Sequence, residues 1–270
     1  MDLPAGRMLR QRMLSYQHAY HAGNLADVHK HAVLAVALDY LVQKPKPLTY
    51  IETHAGRGLY DLTDPAALKT GEAAAGIGRI AGAFGPGHPY ARALAQVRAR
   101  YGKASYPGSP LLAATLLRPG DRMHLAELHP QEHAALQALL GTRATVRRQD
   151  GAAMALALAP PEPRRGLCLI DPSYEIGGDY DAMAALIKGL HRKWGVGVVM
   201  LWYPLLDGAA HAPMVAAITA AIPQALRHEV RFAPARPGHR MTGSGLIIVN
   251  PPFALGPAMD HLTAVFKDLC

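Results

Sequence analysis

The chain has little of what several protein classes depend on. It holds two cysteines in 270 residues, Cys168 within an apolar run and Cys270 at the last position. That supports neither a disulfide framework nor a cysteine-based metal site, so a reducing, cytoplasmic setting is expected. No apolar run approaches the ~20 residues of a membrane-spanning helix, and Met1–Arg7 lacks the apolar core of a signal peptide. Aromatic residues contribute only 6%, yet half of the residues are apolar. This is an Ala- and Leu-rich globular composition, not a disordered one. Acidic residues are also short, 20 against 28 Lys and Arg, for a formal net charge of +8. Such an imbalance favours an anionic partner, nucleic acid first. Residues 1–12 show no apolar periodicity and are expected to form a disordered leader. Residues 13–270 then form one domain.

What is present is a succession of strand-like and helical stretches. A helix capped by Asn24 or Asp27 is expected to run to about Gln43, where Lys44-Pro45-Lys46-Pro47 stops it. Leu48–Thr53 reads as a strand entering a glycine turn, His54-Ala55-Gly56-Arg57-Gly58. No strand is evident between there and Tyr106, so about 60–106 reads as a helical insertion. Ser109 is the expected N-cap and Pro110 the first residue of the helix that follows. Further strands are expected at Met123–Leu128, Ala144–Arg148, Leu167–Ile170, Gly197–Trp202, Arg227–Phe232 and Leu246–Val249. Alternating strands and helices predict a doubly wound, mostly parallel seven-stranded sheet.

The strand ends carry the chemistry, because ligands of such sheets bind beyond the carboxyl ends of the strands. The first ends on Gly56 and Gly58, which allow close backbone approach to a ligand. The second ends on Glu127, a carboxylate suited to a ribose diol. The third ends on Asp150-Gly151, where the carboxylate suits an adenine amino group. The fourth, Leu167-Cys168-Leu169-Ile170, ends on Asp171-Pro172-Ser173-Tyr174. Glycine turn, acid, Asp, then Asp-Pro-x-aromatic is the layout of a Rossmann-like class I S-adenosylmethionine-dependent methyltransferase. An exocyclic amine is a poor nucleophile because its lone pair is delocalised into the ring. The Asp171 carboxylate and the Pro172 carbonyl can accept its two hydrogens and localise that pair. Tyr174 is placed to stack on a base taken out of its helix. Asn250-Pro251-Pro252-Phe253 spells a similar motif more fully, but it follows the last strand, away from the glycine turn, and reads as structural.

The resemblance to a known family is specific. Met13-Leu14-Ser15-Tyr16-x-His18-x-x-His21-Ala22-Gly23-Asn24-x-Ala26-Asp27-Val28-x-Lys30-His31 is similar to the amino-terminal signature of the RlmJ family, bacterial 23S ribosomal RNA adenine-N6 methyltransferases. Thr53-His54-Ala55-Gly56-x-Gly58, Tyr106-Pro107-Gly108-Ser109-Pro110, Glu127-Leu128-His129-Pro130, Asp150-Gly151, Asp171-Pro172-x-Tyr174, Leu201-Trp202-Tyr203-Pro204 and Met241-Thr242-x-Ser244-Gly245 follow in order. The resemblance implies S-adenosylmethionine as cofactor, S-adenosylhomocysteine as its product, and the N6 amine of adenine 2030 of 23S RNA as target. It implies that His31, His54, Ser109, Glu127, Asp150 and Gly151 contact the cofactor along with Gly56, Gly58 and Asp171. Asp171 would be catalytic, and Tyr16, His18 and Lys30 would lie near the target base with Tyr174. The protein would act as a monomer on free or early-assembly RNA, without metal, membrane or DNA. Two departures from the family pattern stand out: Ser173 replaces the usual second proline, and Glu52 stands where Asp is expected.

Alternatives are a DNA adenine-N6 or protein-glutamine methyltransferase, since an amide nitrogen poses the same lone-pair problem, and an RNA-binding protein on an inactive fold. Absence of a separate target-recognition domain weighs against the DNA enzyme. The intact Glu127, Asp150 and Asp171 weigh against decay. Arg147, Arg148, Arg164, Arg165, His191, Arg192, Lys193, Arg231, Arg236 and Arg240 fall near strand ends and are candidate phosphate contacts.

Overall fold

A computed structural model describes residues 18–174, 178–234, 238 and 240–269. The expected leader, Tyr16, Arg236 and Cys270 lie outside the described residues. A fully formed helix, α1 (Leu25–Val42), precedes the first strand, β1 (Thr49–Glu52). Asn24 caps it by accepting the Asp27 backbone N–H at 2.8 Å. A two-stranded antiparallel ribbon, β2 (Leu59–Asp61) and β3 (Ser105–Pro107), then brackets α2 (Pro65–Thr70), α3 (Glu72–Ala75), α4 (Ile77–Ile80) and α5 (Pro89–Tyr101). The remainder alternates: α6 (Ser109–Leu116), β4 (Arg122–Ala126), α7 (Pro130–Leu140), β5 (Thr145–Arg147), α8 (Gly151–Leu158), β6 (Gly166–Ile170), α9 (Asp179–Lys193), β7 (Val198–Leu206), α10 (Ala212–Ala221), β8 (Leu226–Arg231), β9 (Met241–Val249) and α11 (Leu255–Lys267). No helix among the described residues is long and apolar enough to cross a membrane.

The main sheet has seven strands in the order β5-β4-β1-β6-β7-β9-β8. All run parallel except β9, which is antiparallel to both β7 and β8. This is the doubly wound, mostly parallel seven-stranded sheet expected from the sequence, made mixed by one strand. Its central strands are buried on both faces, which explains their continuous apolar spelling. Successive residues serve opposite layers. Tyr50, Leu167, Leu169 and Met200 pack towards α1, α5, α6 and α11, whereas Ile51, Cys168, Ile170, Val199 and Leu201 pack towards α8, α9 and α10.

Three differences from the sequence reading have physical causes. The ribbon strands β2 and β3 have three residues each, too few to show a period. Ser109 is not the cap of α6; Gly108 holds that position, and the Ser109 hydroxyl is drawn instead to the buried carboxylate of Glu52, 2.5 Å away. Finally, β7 and β9 run on to Leu206 and from Met241, so the pair extends past the end of β6. Because β9 is antiparallel, it delivers Asn250 to the edge where the parallel strands begin. There the Asn250 side-chain N–H group donates to the carbonyls of Gly195 and Gly197 at 3.0 and 2.8 Å. That residue braces the turn into β7, on the far side of the sheet from Asp171.

Candidate active site

Loops from the carboxyl ends of β1, β4, β5 and β6 converge with the start of α1 on a cavity of about 490 Å³. At the end of β1 the chain turns through Gly56, whose φ of +62° suits glycine. Its backbone N–H donates to Glu127 Oε2 at 2.8 Å, and the His129 N–H donates to Oε1 at 2.7 Å. Two backbone amides thus fix the Glu127 carboxylate at the cavity wall. Burial raises its pKa, and these two bonds partly oppose the rise. Asp150 caps α8 by accepting the Ala153 N–H at 2.7 Å. Gly151 lies where α8 presses on β1: a Cβ there would stand 1.9 Å from the Thr53 carbonyl oxygen. His54 lines the cavity with Nδ1 2.7 Å from Thr53 Oγ1, and burial lowers its pKa. Ser109 enters at the start of α6.

On the other side Asp171 and Pro172 leave β6 beside β1. Lys30 Nζ donates to Asp171 Oδ2 at 2.5 Å and to Asp27 Oδ1 at 3.0 Å. Burial disfavours the Lys30 ammonium, but the charges of Asp171 and Asp27 outweigh it and hold its pKa above the ordinary lysine value. Burial alone would raise Asp27, yet His18, Lys30 and His31 together hold it well below the usual carboxylate range. His18 Nε2 lies 2.9 Å from Asp27 Oδ2, which also accepts the Gly23 N–H at 3.0 Å. Positions 27, 30 and 31 share one helix face by their i, i+3, i+4 spacing. That face turns the first two turns of α1 towards the end of β6.

His31 is buried, and its Nδ1 lies 2.9 Å from the Tyr106 hydroxyl. Its Nε2 is buried without a hydrogen-bond partner, although His31 lines the cavity. Burial pulls its pKa down to about 3, with Lys30 and His18 adding to the fall and Asp27 opposing it. A neutral imidazole with a nitrogen unsatisfied by protein is suited to a polar ligand group. Tyr174 has φ +53°, its ring stacks on Tyr180 at 4.5 Å, and its hydroxyl donates to the Trp202 carbonyl at 2.8 Å. The aromatic after Asp-Pro is therefore held rigidly at the rim.

The structure thus brings His18, Lys30, His31, His54, Gly56, Ser109, Glu127, Asp150, Gly151, Asp171, Pro172 and Tyr174 to one cavity. Gly58 does not line it; at φ +81° its missing side chain leaves room for Leu136 and Leu139 of α7, each 2.9 Å from where a Cβ would sit. Sequence reasoning missed three contributors. Asp27 reads in the sequence as a possible cap and as part of the amino-terminal signature, with no role at the site. Trp202 lines the cavity, with Lys30 Nζ 5.8 Å from its ring centroid. Glu52 lies beneath the site with no exposed surface, accepting from Tyr50 at 2.8 Å and from Ser109. Burial pushes it up to about 8 against those bonds. Among the described residues no group of three potential ligands could hold a metal ion. Of the candidate phosphate contacts, Arg147, Arg148, Arg231 and Arg240 stand at the cavity edge of the sheet. Arg164, Arg165, His191, Arg192 and Lys193 stand at the opposite edge, where β6 and β7 begin.

Comparison with known proteins bears on this site. The family model described as "Ribosomal RNA large subunit methyltransferase D, RlmJ" matches residues 45–269. The chain is 38% identical over 259 residues to "Ribosomal RNA large subunit methyltransferase J" of Escherichia coli strain K12, covering 93% of this chain and 91% of that one. It is 37% identical over 257 residues to the protein of the same name in Haemophilus influenzae, covering 93% and 92%. A solved structure, protein LPL1258 from Legionella pneumophila, superposes with a TM-score of 0.81 at 35% identity, over 92% of this chain and 94% of that one.

Proposed function

The chain belongs to the RlmJ family of ribosomal RNA large subunit methyltransferases, and from that premise we propose that it methylates the N6 amine of one adenine of 23S RNA, the base numbered 2030. It does so as a cytoplasmic monomer on free or early-assembly RNA. The observation that carries the reading is Asp171 at the end of β6, with one carboxylate oxygen fixed by Lys30 and Pro172 beside it.

The residues present suit S-adenosylmethionine. Glu127 offers a fixed carboxylate to a ribose diol, and Asp150 an acceptor to an adenine amine. The unpartnered Nε2 of His31 and the Ser109 hydroxyl would meet the polar end of the cofactor, while Gly151 lets α8 press close on the loop after β1. When bound, the cofactor supplies an electrophilic methyl carbon on a sulfonium. Lys30 engages Asp171 Oδ2 and so orients Oδ1 towards the amine. Oδ1 and the Pro172 carbonyl accept the two amine hydrogens and localise the nitrogen lone pair. Tyr174 and Trp202 present aromatic surface to the unstacked base. His18, tied to Asp27, completes the wall on the RNA side.

The test is methylation of deproteinised 23S RNA and of assembled large subunits, with the product mapped. Label at N6 of a single adenine in the free RNA is expected. Asp171→Ala is expected to lower turnover by at least about 10²–10³-fold with cofactor affinity little changed. Full turnover in that variant, or label entering DNA or protein instead, overturns the assignment.

A further inference from the structure

The basic surplus of this molecule is not confined to its cavity edge, where Arg147, Arg148, Arg231 and Arg240 stand. The loops that leave β1, β4, β5 and β6 at the cavity, residues 53–58, 127–129, 148–150 and 171–174, hold Arg57 and Arg148 against Glu127, Asp150 and Asp171. Their net charge is slightly negative, as suits a site for a sulfonium. The segments entering β1, β4, β6 and β7 at the other edge differ. Lys44 and Lys46 precede β1. Arg118 and Arg122 flank the turn into β4. Arg164 and Arg165 precede β6. Arg192 and Lys193 end α9, just before β7. The carboxylates in these segments are Asp121 and Glu162. Eight cations against two carboxylates leave a local surplus of six in a molecule of formal net charge +8.

Backbone carbonyls at this edge brace several of these cations. The Arg118 guanidinium donates to the Lys44 carbonyl at 2.7 Å and to the Lys46 carbonyl at 2.9 Å. Arg165 donates to the Lys46 and Leu41 carbonyls. Arg122 donates to the Glu162 carbonyl at 2.7 Å, and the Trp194 indole N–H to the Arg164 carbonyl at 2.6 Å. Carbonyl acceptors hold the guanidinium groups in place without cancelling their charge. Only Arg118 is paired with a carboxylate there, Asp121 at 2.9 Å. Lys44, Lys46, Arg122, Arg164, Arg192 and Lys193 are exposed. Since β4, β1, β6 and β7 are consecutive in the sheet, the cations stand in a row roughly 15 Å long at the usual strand spacing. A linear row of positive charge matches a phosphodiester chain.

We infer that this edge, opposite the catalytic cavity, is a second docking face that grips the phosphate backbone of the substrate RNA at a distance from the methylated base. The inference rests on the activity proposed above. The two edges lie roughly 25–30 Å apart, five-residue strands plus loops at each end. A long, folded RNA reaches both edges and a short hairpin reaches only the cavity.

The test uses the full chain with Lys44→Ala, Lys46→Ala, Arg164→Ala and Arg192→Ala combined. In the first three positions the backbone carbonyl, not the side chain, takes the bracing bonds, and Arg192 is exposed. A control variant, Lys69→Ala, Arg79→Ala, Lys103→Ala and Lys267→Ala, removes the same charge from exposed sites elsewhere. Affinity is read against salt for a 23S fragment of several hundred nucleotides and for a short hairpin, both containing the target adenine. The patch variant is expected to bind the fragment at least about tenfold more weakly at 150 mM salt, with a log–log salt slope shallower by about 2 to 3. The hairpin and cofactor affinities are expected to stay unchanged, and the control variant to remain near wild type. Unchanged fragment affinity and slope overturn the docking face, and so does an equal loss in the control, which would mean that only net charge matters. Patch-dependent sedimentation with phosphatidylglycerol–phosphatidylethanolamine vesicles, with RNA affinity unchanged, overturns it in favour of a membrane. If the wild type methylates neither RNA, the proposed activity fails and this inference falls with it. If the wild type methylates the fragment and the patch variant binds it normally, only the docking face fails.

Discussion

At the scale of single residues, the site is governed by where charge is placed in a dry environment. Lys30 is 4% exposed and lies between carboxylates that are 3% and 14% exposed. Removing one member of such a buried ionic group is costly because the others stay buried without compensation. Lys30→Met leaves Asp27 and Asp171 facing each other, and it is expected to lower unfolding free energy by about 3–5 kcal/mol in denaturant melts. Glu52 acts through protons. Its pKa is about 8 in the folded protein, against the ordinary 4.5, so between those values the folded state holds a proton that the unfolded chain has released. Its contribution is complete below about pH 4.5 and is lost as pH rises through 8. Glu52→Gln cannot ionise. Relative to wild type, its melting temperature is expected to rise progressively from pH 5 to pH 8, by roughly 5–10 °C overall. A difference independent of pH would show that Glu52 is ionised throughout.

Among the elements, the packing of α8 on β1 sets the geometry of the cofactor side. Gly151→Ala places a Cβ 1.9 Å from a backbone oxygen that cannot rotate aside. The first turn of α8 must move, and a stability loss of about 1–3 kcal/mol with weakened S-adenosylmethionine binding is expected from melts and calorimetry. Much at this scale was legible in the sequence. The parallel strands announced themselves through continuous apolar runs, and four of their ends carried the residues that meet at the cavity. The unread parts depend on contacts between distant segments. Ser109 before a helix looks like a cap, but a carboxylate 57 positions away takes its hydroxyl. The Lys30–Asp171 pair spans 141 positions and exists only because α1 packs across the end of β6. Gly58 looked like part of a ligand turn, but the α7 leucines claim its space, which periodicity within β1 does not reveal.

For the whole molecule, the cavity lies at the carboxyl ends of β1, β4, β5 and β6, and a row of exposed cations stands at the amino ends of β4, β1, β6 and β7. The helix α1 links the layers, and 14 of its 18 residues are buried. It is tied to the far end of the chain: His29 Nδ1 lies 2.8 Å from Ser244 Oγ, and His29 Nε2 lies 2.9 Å from His228 Nδ1. Ser244 also accepts the Trp202 indole N–H at 2.9 Å. A chain truncated after residue 225 lacks β8, β9 and α11, so its α1 amides are expected to exchange with solvent far faster than those of the full chain. Equal protection in the two would show that α1 is secured locally.

The burial of α1 has a consequence in time as well as in space. Lys30 is synthesised before the partners that hold its helix, His228 and Ser244, which lie 199 and 215 positions beyond His29. During synthesis the chain therefore carries its reactive groups unassembled. The helix that carries Lys30 across the end of β6 is secured only once β8 and β9 have been made.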